Sequence, residues 1–243
     1  MNNSLVVIPT YNEIENLQAL VEKVLAQRAF DVLIVDDHSP DGTGELAEGL
    51  SNRFPTRVAV LHRAGKQGLG TAYRAGFNYA LTWGYQHIFE MDADFSHDPR
   101  ALPALRAALE DADVVLGSRY VRGGDTKNWP IARRLLSQGG SLYAALILGL
   151  PFHDLTGGFK GFSARVLQSL DLDAIRSNGY AFQIEVTYRA HQGGFRIVER
   201  PITFVDRRLG HSKMRPAIVA EAIRIVWSLR FGRRPPLLQE VGP

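Results

Sequence analysis

The first half of the chain alternates short apolar runs with segments of helical periodicity, and this alternation constrains the fold more than any other feature. The runs are apolar throughout, as strands are when helices cover both faces of a parallel sheet. The predicted strands are 5–9, 32–35, 58–61, 88–91 and 114–117, and the predicted helices between them are 13–27, 44–52, 71–83 and 102–109. We therefore predict an α/β fold with a mostly parallel sheet and helices on both faces.

Polar side chains follow four of these strands at the point where each strand ends. They are Tyr11 and Glu13 after the first strand, Asp36 and Asp37 after the second, Lys66 after the third, and Asp92 and Asp94 after the fourth. In a sheet of this kind ligands bind beyond the carboxyl ends of the strands. We therefore expect these side chains to converge on one rim of the sheet.

Asp92 and Asp94 stand one residue apart at the end of the fourth strand. In an extended chain alternate side chains point to the same face, so the two carboxylates can reach one point. Like charges there repel each other unless a cation lies between them. Mg²⁺ or Mn²⁺ takes oxygen ligands and completes its shell with water and substrate phosphates. The pair therefore predicts a metal–diphosphate site, and the alternative for so short a motif is an acidic surface turn.

The rest of the rim offers chemistry that suits a nucleotide. Tyr11 can stack on a base, and Glu13 can accept from its edge, although an acid at a helix N-terminus is also favoured by the helix dipole. Asp37 suits a ribose or a base, and Lys66 suits a phosphate or is a solvated loop lysine. Arg119 follows the fifth strand beside the rim, and its guanidinium suits bidentate phosphate binding.

The second half of the chain is less regular. We predict a helix over 133–150 interrupted by two glycines, a loop or short strand over 153–162, helices over 164–170 and 181–192, a hairpin over 195–205, a polar loop over 207–213 and a helix over 216–231. We expect one domain over 1–231, made of a first part (1–120), a second part (121–213) and an amphipathic C-terminal helix (214–231), and then a tail (232–243).

Composition and motifs exclude several classes of function. The chain has no cysteine, which rules out disulfides and thiolate metal sites and fits a reducing compartment, and its net charge of +3 is too small to argue for nucleic-acid binding. The glycine-rich loop 65–70 follows the third strand and spells neither the dinucleotide fingerprint nor the P-loop pattern. We expect no signal peptide and no transmembrane helix, because the longest apolar run, 142–152, is too short to span a bilayer.

Several segments together resemble one family, the polyprenol (dolichol) phosphate mannosyltransferases, which are family 2 glycosyltransferases of the GT-A (Rossmann-like) fold. The segments are VIPTYNE (7–13), VDDHSPDGT (35–43), KQGLG (66–70), MDADFSH (91–97), GSRY (117–120), NWP (128–130) and RRLGHSK (207–213). The resemblance implies transfer of mannose from GDP-mannose to a polyprenyl phosphate. It makes 1–120 the nucleotide-sugar half of the domain and 121–213 the acceptor half. The alternatives are a polyprenyl-phosphate glucosyltransferase that uses UDP-glucose and a non-catalytic subunit that binds a nucleotide sugar.

The resemblance also implies roles for individual residues. Donor binding falls to Pro9, Tyr11, Glu13, Val35, Asp37, Asp92 and Ala93, to which we add Lys66 as a phosphate contact. The metal, Mg²⁺ or Mn²⁺, falls to Asp94 with Asp92 and Ser96, the last directly or through a water. The resemblance assigns the phosphates of donor and acceptor to Arg119, Arg207 and Lys213. We add Arg133 at the acceptor phosphate, although it also suits a solvated helix face.

A mechanism and a location follow from this chemistry. The acceptor phosphate is ionised near neutral pH and needs no general base, so we expect direct attack with inversion, assisted by cationic charge. The final helix, which carries Arg224 and Arg230, lies on an anionic membrane or packs on the domain. The run 142–152 is a path for the lipid or part of the core. We expect a peripheral enzyme at the cytoplasmic face of a membrane, and a membrane-anchoring partner protein is left open.

Overall fold

The structure is a computed structural model that describes residues 2–175, 177–206 and 216–232. Its strands are β1 (Ser4–Thr10), β2 (Phe30–Asp36), β3 (Val58–His62), β4 (His87–Glu90), β5 (Val114–Ser118), β6 (Asp125–Lys127), β7 (Lys160–Ser163), β8 (Ile197–Pro201) and β9 (Thr203–Val205). Its helices are α1 (Ile14–Leu25), α2 (Thr43–Arg53), α3 (Leu69–Thr82), α4 (Leu102–Ala108), α5 (Ile131–Leu148), α6 (Ala164–Ser169), α7 (Gly179–Gln192) and α8 (Pro216–Phe231).

Seven strands form the central sheet, in the order β3-β2-β1-β4-β7-β5-β8. Every strand in it runs parallel to the others except β7, which pairs antiparallel with β4 on one side and with β5 on the other. The short strands β6 and β9 form a separate parallel pair. The prediction of a mostly parallel sheet is therefore confirmed.

Alternate residues of β1 show how the two faces of the sheet are covered. Leu5 and Val7 join a core with residues of α3, α6 and α7, whereas Val6 and Ile8 join a second core with residues of α1, α2 and α4. All four are buried, because a strand covered on both faces must be apolar at every position. The predicted helices on both faces are therefore confirmed.

Two predictions for the second half are wrong. Residues 195–205 do not form a hairpin, because β8 pairs with β5 in the main sheet and β9 pairs with β6 in the small one. Between them the backbone N–H of Ile202 donates to the carbonyl of Ser118. Gly139 and Gly140 do not interrupt their helix, since α5 continues through both. Glycine costs a helix interior about 1 kcal/mol relative to alanine, which packing of the rest of α5 can offset.

A third core joins α5, α7 and α8 beside the sheet, and it includes Ala144, Leu148, Ile184 and Val226. The opposite side of α5 is apolar and exposed, with Leu142 at 60% and Leu146 at 72% accessibility. The run 142–152 is thus both core and surface. Within the described residues, none of the helices is long and apolar enough to cross a membrane.

Candidate active site

A polar cleft of about 300 Å³ lies beyond the carboxyl ends of β1, β2 and β4. Its lining residues are Pro9, Thr10, Tyr11, Glu13, Asp37, Lys66, Gly68, Leu69, Ala72, Asp92, Ala93, Asp94, Thr156, Gly158, Gly179, Tyr180 and Gln183. The sequence predicts that the polar residues after the strands share one rim, and the structure brings Tyr11, Glu13, Asp37, Lys66 and the Asp92/Asp94 pair together here.

The loop after β4 turns sharply enough to present both of its carboxylates to the cleft. Phe95 adopts a positive φ of 60°, and the backbone N–H of Ser96 donates to Asp94 Oδ1 at 3.1 Å. The Tyr73 hydroxyl donates to Asp92 Oδ1 at 3.3 Å. Burial and the nearby Asp92 raise the pKa of Tyr73 well above its usual value, so this hydroxyl stays protonated and remains a donor.

His97 stabilises the same loop through a hydrogen bond to its backbone. The backbone N–H of Asp92 donates to His97 Nδ1 at 3.2 Å, and the ring stacks on Phe159 and meets Phe204 edge-on. Burial lowers the pKa of His97 to about 4, so the ring is neutral near pH 7 and Nδ1 can accept. The sequence predicts no functional role for His97.

Asp37 lines the cleft and is held in position by Arg63. Arg63 Nε donates to Asp37 Oδ1 at 2.5 Å, and Arg63 Nη2 donates to Asp37 Oδ2 at 2.8 Å. The same guanidinium donates to Thr71 Oγ1 at the start of α3. The neighbouring Asp36 is turned inward, where it accepts hydrogen bonds from Thr10 Oγ1 and from the side chain and backbone of Ser39. Of the two carboxylates only Asp37 lines the cleft.

Tyr11, Glu13 and Lys66 form the end of the cleft nearest β1 and β2. Lys66 Nζ lies 3.9 Å from the centre of the Tyr11 ring. Glu13 directly precedes α1. Its backbone N–H donates to Thr43 Oγ1, and its side chain accepts from Asn16. An aromatic face, a carboxylate and a cation therefore meet where a base and a phosphate would need them.

Arg119 is buried close to the cleft but is not one of its lining residues. It forms a buried bidentate pair with Asp154, with Nε to Oδ2 at 2.7 Å and Nη2 to Oδ1 at 2.6 Å. Burial alone would raise the pKa of Asp154, but Arg119 holds it below its ordinary value. Arg119 Nη2 also donates to Thr156 Oγ1, and Thr156 lines the cleft. Arg119 therefore meets the cleft through Thr156.

The remaining predicted site residues fall in different places. Arg133 pairs with Asp206 at 2.7 Å and lies over Trp129, outside the lining of the cleft. Arg207 and Lys213 lie outside the described residues. Val35 is buried within β2. Ser96 Oγ is buried without a hydrogen-bond partner in the described part of the chain, and Ser96 does not line the cleft, so its role as a metal ligand stays a prediction.

The carboxylates of Asp92 and Asp94 suit a hard divalent cation. Their oxygens are the donors that Mg²⁺ and Mn²⁺ prefer. No group of three or more His, Cys, Asp or Glu side chains in the described ranges could hold an ion by itself. The two carboxylates therefore fit a cation that takes its other ligands from water and from a bound phosphate.

An apolar groove of about 320 Å³ adjoins the polar cleft. Its lining residues are Leu135, Leu136, Ser137, Gly139, Gly140, Tyr143, Thr156, Tyr180, Ile184, Ala222, Ile223 and Val226, contributed by α5, α7, α8 and the loop before β7. Thr156 and Tyr180 line both cavities. A ligand with a polar head and an apolar tail could therefore lie across the two.

Sequence reasoning missed four residues that shape these cavities: Arg63, Asp154, Thr156 and Gln183. Arg63 follows β3 directly, so the rule that a polar residue past a strand end belongs to the rim could have found it. The other three come from the irregular second half, where no strand end marks them. Their positions depend on pairing with residues distant in sequence, such as Arg119 with Asp154.

The fold recurs in solved nucleotide-sugar transferases. Glucosyl-3-phosphoglycerate synthase from Mycobacterium tuberculosis, in complex with Mn²⁺, UDP and phosphoglyceric acid, matches with a TM-score of 0.68 at 20% identity, over 94% of this chain and 78% of that one. The mannosyltransferase PcManGT from Pyrobaculum calidifontis, in complex with GDP-Man and Mn²⁺, matches with a TM-score of 0.59 at 15% identity, over 95% and 70%. The fold is therefore the GT-A fold of glycosyltransferases.

Residues 5–171 match the family model described as glycosyl transferase family 2, and the chain belongs to that family. Two relatives are much more similar to this chain in sequence than these solved structures are. The undecaprenyl-phosphate mannosyltransferase of Micrococcus luteus is 51% identical over 220 residues, which cover 90% of each chain. The polyprenol monophosphomannose synthase of Mycolicibacterium smegmatis is 48% identical over 231 residues, 93% of this chain and 87% of that one. The resemblance to polyprenol phosphate mannosyltransferases is confirmed.

Proposed function

We propose that this glycosyltransferase moves mannose from GDP-mannose to a polyprenyl phosphate, with inversion at the anomeric carbon and with Mg²⁺ or Mn²⁺ as its metal. One observation carries the proposal: a polar cleft and an apolar groove meet at Thr156 and Tyr180. Such a junction suits a reaction between a water-soluble nucleotide sugar and a lipid phosphate. The names of the two relatives at about half identity support mannosyl transfer to a polyprenyl phosphate.

The donor lies along the carboxyl ends of the strands. Tyr11, Glu13 and Asp37 take the nucleoside, and Lys66 takes a phosphate. Asp92 and Asp94 hold the metal, which when bound supplies positive charge at the diphosphate leaving group. This order follows the strands from β2 through β1 to β4, so the sugar comes to the end of the cleft that adjoins the groove.

The acceptor lies with its prenyl chain in the groove and its phosphate at the junction. A phosphate oxygen is already a nucleophile near neutral pH, so the site needs no general base. It needs positive charge to bring one anion towards another. Arg133, Arg207 and Lys213 supply that charge at the acceptor phosphate. Arg119, which is paired with Asp154, positions Thr156 at the junction.

The transfer assay tests both substrates together. The protein is incubated with labelled GDP-mannose or UDP-glucose, a polyprenyl phosphate, and Mg²⁺ or Mn²⁺, and label is counted in the organic phase. We expect label from GDP-mannose alone, in a β-linked product. Transfer from UDP-glucose, or none from GDP-mannose, would contradict the proposal.

The metal role is tested by a matched pair of variants in the same loop. Asp94→Asn should abolish transfer, because an amide is a poorer ligand than a carboxylate for a hard cation. Asp98→Asn makes the same change at a carboxylate that pairs with Arg100 and should leave transfer near normal. Normal transfer by the Asp94 variant would refute the metal role.

The enzyme works at a membrane surface, since its acceptor is a lipid. Leu142 and Leu146 lie one turn apart on the exposed side of α5, and α8, which packs with α5 in the third core, adds exposed Trp227 and Phe231. Apolar side chains presented beside exposed basic residues such as Arg224 suit an anionic bilayer.

Vesicle sedimentation tests this surface. Full-length protein should pellet with anionic phospholipid vesicles, and a Leu142→Glu/Leu146→Glu double variant should stay in the supernatant. Trp83→Glu introduces the same charge at a hydrophobic side chain that is 55% exposed on another helix end and should still pellet. Equal pelleting of all three proteins would remove α5 from the membrane contact.

A further inference from the structure

Gln183 is a buried amide for which the described structure provides no partner. Its side chain is only 2% exposed, and neither Oε1 nor Nε2 has a hydrogen-bond partner among the residues described. A buried amide without partners destabilises the folded protein, and such groups in native proteins call for an explanation. Because Gln183 lines the polar cleft, a ligand in that cleft could supply the missing partners.

The helix that carries Gln183 is fixed against the sheet. The buried ammonium of Lys160, in β7, donates to the backbone carbonyl of Gln183 at 2.7 Å and to Thr187 Oγ1 at 2.9 Å. These bonds tie the first turns of α7 to the strand next to β4. The position of Gln183 is therefore set before any ligand arrives, which suits a residue that selects between similar ligands.

The space in front of the amide is left open by a glycine. A Cβ added at Gly158 would lie 3.7 Å from Gln183 Nε2 and 3.6 Å from Asp92 Oδ2. Gly158 does not have the positive φ that requires glycine, so its lack of a side chain matters for room. A larger side chain here would fill the gap between an amide donor and a carboxylate acceptor.

Glu90 is the nearest competitor for this amide. Its carboxylate lies beside Gln183, but neither Glu90 oxygen reaches hydrogen-bond geometry with a described residue. A glutamine amide has two N–H donors and one carbonyl acceptor. Even with one N–H turned to Glu90, a second donor and the carbonyl stay available to a ligand.

The position of Gln183 along the cleft identifies what it would bind. The nucleoside end, at Tyr11 and Asp37, follows β1 and β2, whereas Gln183 lies with Asp92 and Gly158 at the opposite end, beside β4 and β7. Thr156 and Tyr180, which open onto the groove, lie at the same end. The part of the donor that must lie between its diphosphate and the acceptor is the sugar.

We propose that Gln183 is a specificity residue for the transferred sugar, whose amide hydrogen-bonds a hydroxyl of the pyranose ring in the gap that Gly158 leaves beside Asp92. This inference rests on the proposed function, because it takes the donor to be a nucleotide sugar. A site built to bind a hydroxyl rejects an analogue that lacks it, since the buried partner is then left unpaired.

The test measures coupling between the residue and single hydroxyls of the sugar. Wild type, Gln183→Leu and Gln192→Leu are each assayed with GDP-mannose and with its 2-, 3-, 4- and 6-deoxy analogues. Gln192 is an exposed glutamine at the far end of α7, so it controls for the loss of an amide from this helix. Affinity for GDP, which lacks the transferred mannose, checks that the nucleoside site is intact.

In wild type we expect one deoxy donor to lose about 10- to 100-fold in kcat/KM relative to GDP-mannose, because the buried amide is then left without its partner. In Gln183→Leu the same two donors should be used within about threefold of each other, with GDP affinity unchanged, while Gln192→Leu behaves as wild type. If every deoxy donor keeps its wild-type ratio in Gln183→Leu, the inference is overturned. If wild type does not use GDP-mannose, the proposed function fails instead.

If Gln183→Leu is too slow to assay, equilibrium binding gives the same answer. The ratio of affinities for GDP-mannose and GDP should fall in Gln183→Leu and in Gln183→Ala but not in Gln192→Leu. A ratio equal to that of wild type in both variants at position 183 would overturn the role of the amide. Loss of GDP binding in both variants would equally count against it, because it would show that Gln183 serves the structure of the whole cleft.

Discussion

Two buried arginine–aspartate pairs flank the cleft, and they differ in what the carboxylate has left to offer. Asp154 accepts four hydrogen bonds, from Arg119 Nε, Arg119 Nη2 and the backbone N–H groups of Arg119 and Gly157. Within the described ranges, Asp37 accepts two side-chain hydrogen bonds, both from Arg63. A carboxylate has about four acceptor sites. Asp154 is therefore saturated, whereas Asp37 can still accept from a ligand.

The exposure of the two pairs points the same way. The side chains of Arg119 and Asp154 are 4% and 0% exposed, and those of Arg63 and Asp37 are 9% and 8% exposed. Only Asp37 among these four lines the cleft. The same bidentate geometry thus serves the fold in one pair and holds a binding group in position in the other, and hydrogen-bond saturation separates the two roles.

The largest effect that would test this difference is on stability. Asp154→Asn leaves Arg119 as a buried charge without its counter-ion, which typically costs about 3–5 kcal/mol. We expect a loss of that size in the free energy of unfolding, measured by urea denaturation. Asp98→Asn, at a partly exposed pair with Arg100, should change it by less than about 0.5 kcal/mol. An Asp154 variant as stable as the Asp98 variant would contradict the structural role.

The pH dependence of the stability loss in Asp154→Asn tests whether the charge of Asp154 causes that loss. Arg119 keeps the pKa of Asp154 in the folded protein below its ordinary value of 3.8, so the carboxylate is charged in both states well above pH 4. Its contribution is complete there and is lost as the pH falls through the folded pKa. The stability gap between wild type and Asp154→Asn should therefore be constant from pH 7 to pH 5 and narrow below pH 3.8. A constant gap down to pH 3 would mean that the charge of Asp154 does not cause it.

The contrast also explains how much of the fold could be predicted from sequence. The strands β1 to β5 and the helices between them have strong local patterns, and each strand lies in the sheet with apolar residues on both faces. The strands β6 and β9 have three residues each, too few for a periodicity to develop. Their pairing depends on contacts between residues 125–127 and 203–205, which no local pattern encodes.

The candidate site divides along the same line. Asp37 and Asp92 follow strands that the sequence predicts, so their place on the rim could be predicted too. The four hydrogen bonds of Asp154, and the lack of a described partner for the Gln183 amide, depend on the path of the chain between β5 and α7. The hydrophobic periodicity of the sequence is weak in that region. The position of Arg119 after a strand predicts a role at a phosphate, but no local pattern indicates that Asp154 pairs with it.

The second largest expected effect is on donor binding, and it concerns the pair of Arg63 and Asp37. Asp37→Asn keeps the shape of the side chain but removes the charge that a ribose hydroxyl would meet, and a hydrogen bond to a charged group contributes about 1.5–3 kcal/mol. We expect affinity for GDP-mannose, measured by calorimetry, to fall about 10- to 100-fold. The loss of stability should be smaller than for Asp154→Asn. The comparison fails if this variant loses stability as severely as the Asp154 variant while binding GDP-mannose normally.

The smallest effect separates the charge of Arg63 from its geometry. Arg63→Lys keeps a positive charge beside Asp37 but cannot make the bidentate contact and reach Thr71 Oγ1 at the same time. Asp37 should then be held less firmly, and the KM for GDP-mannose should rise about three- to tenfold, an effect of about 1 kcal/mol. Because Asp37 stays charged, kcat should change little. A KM equal to that of wild type would show that charge alone positions Asp37, and a KM as high as that of Asp37→Asn would show that the bidentate geometry is essential to binding.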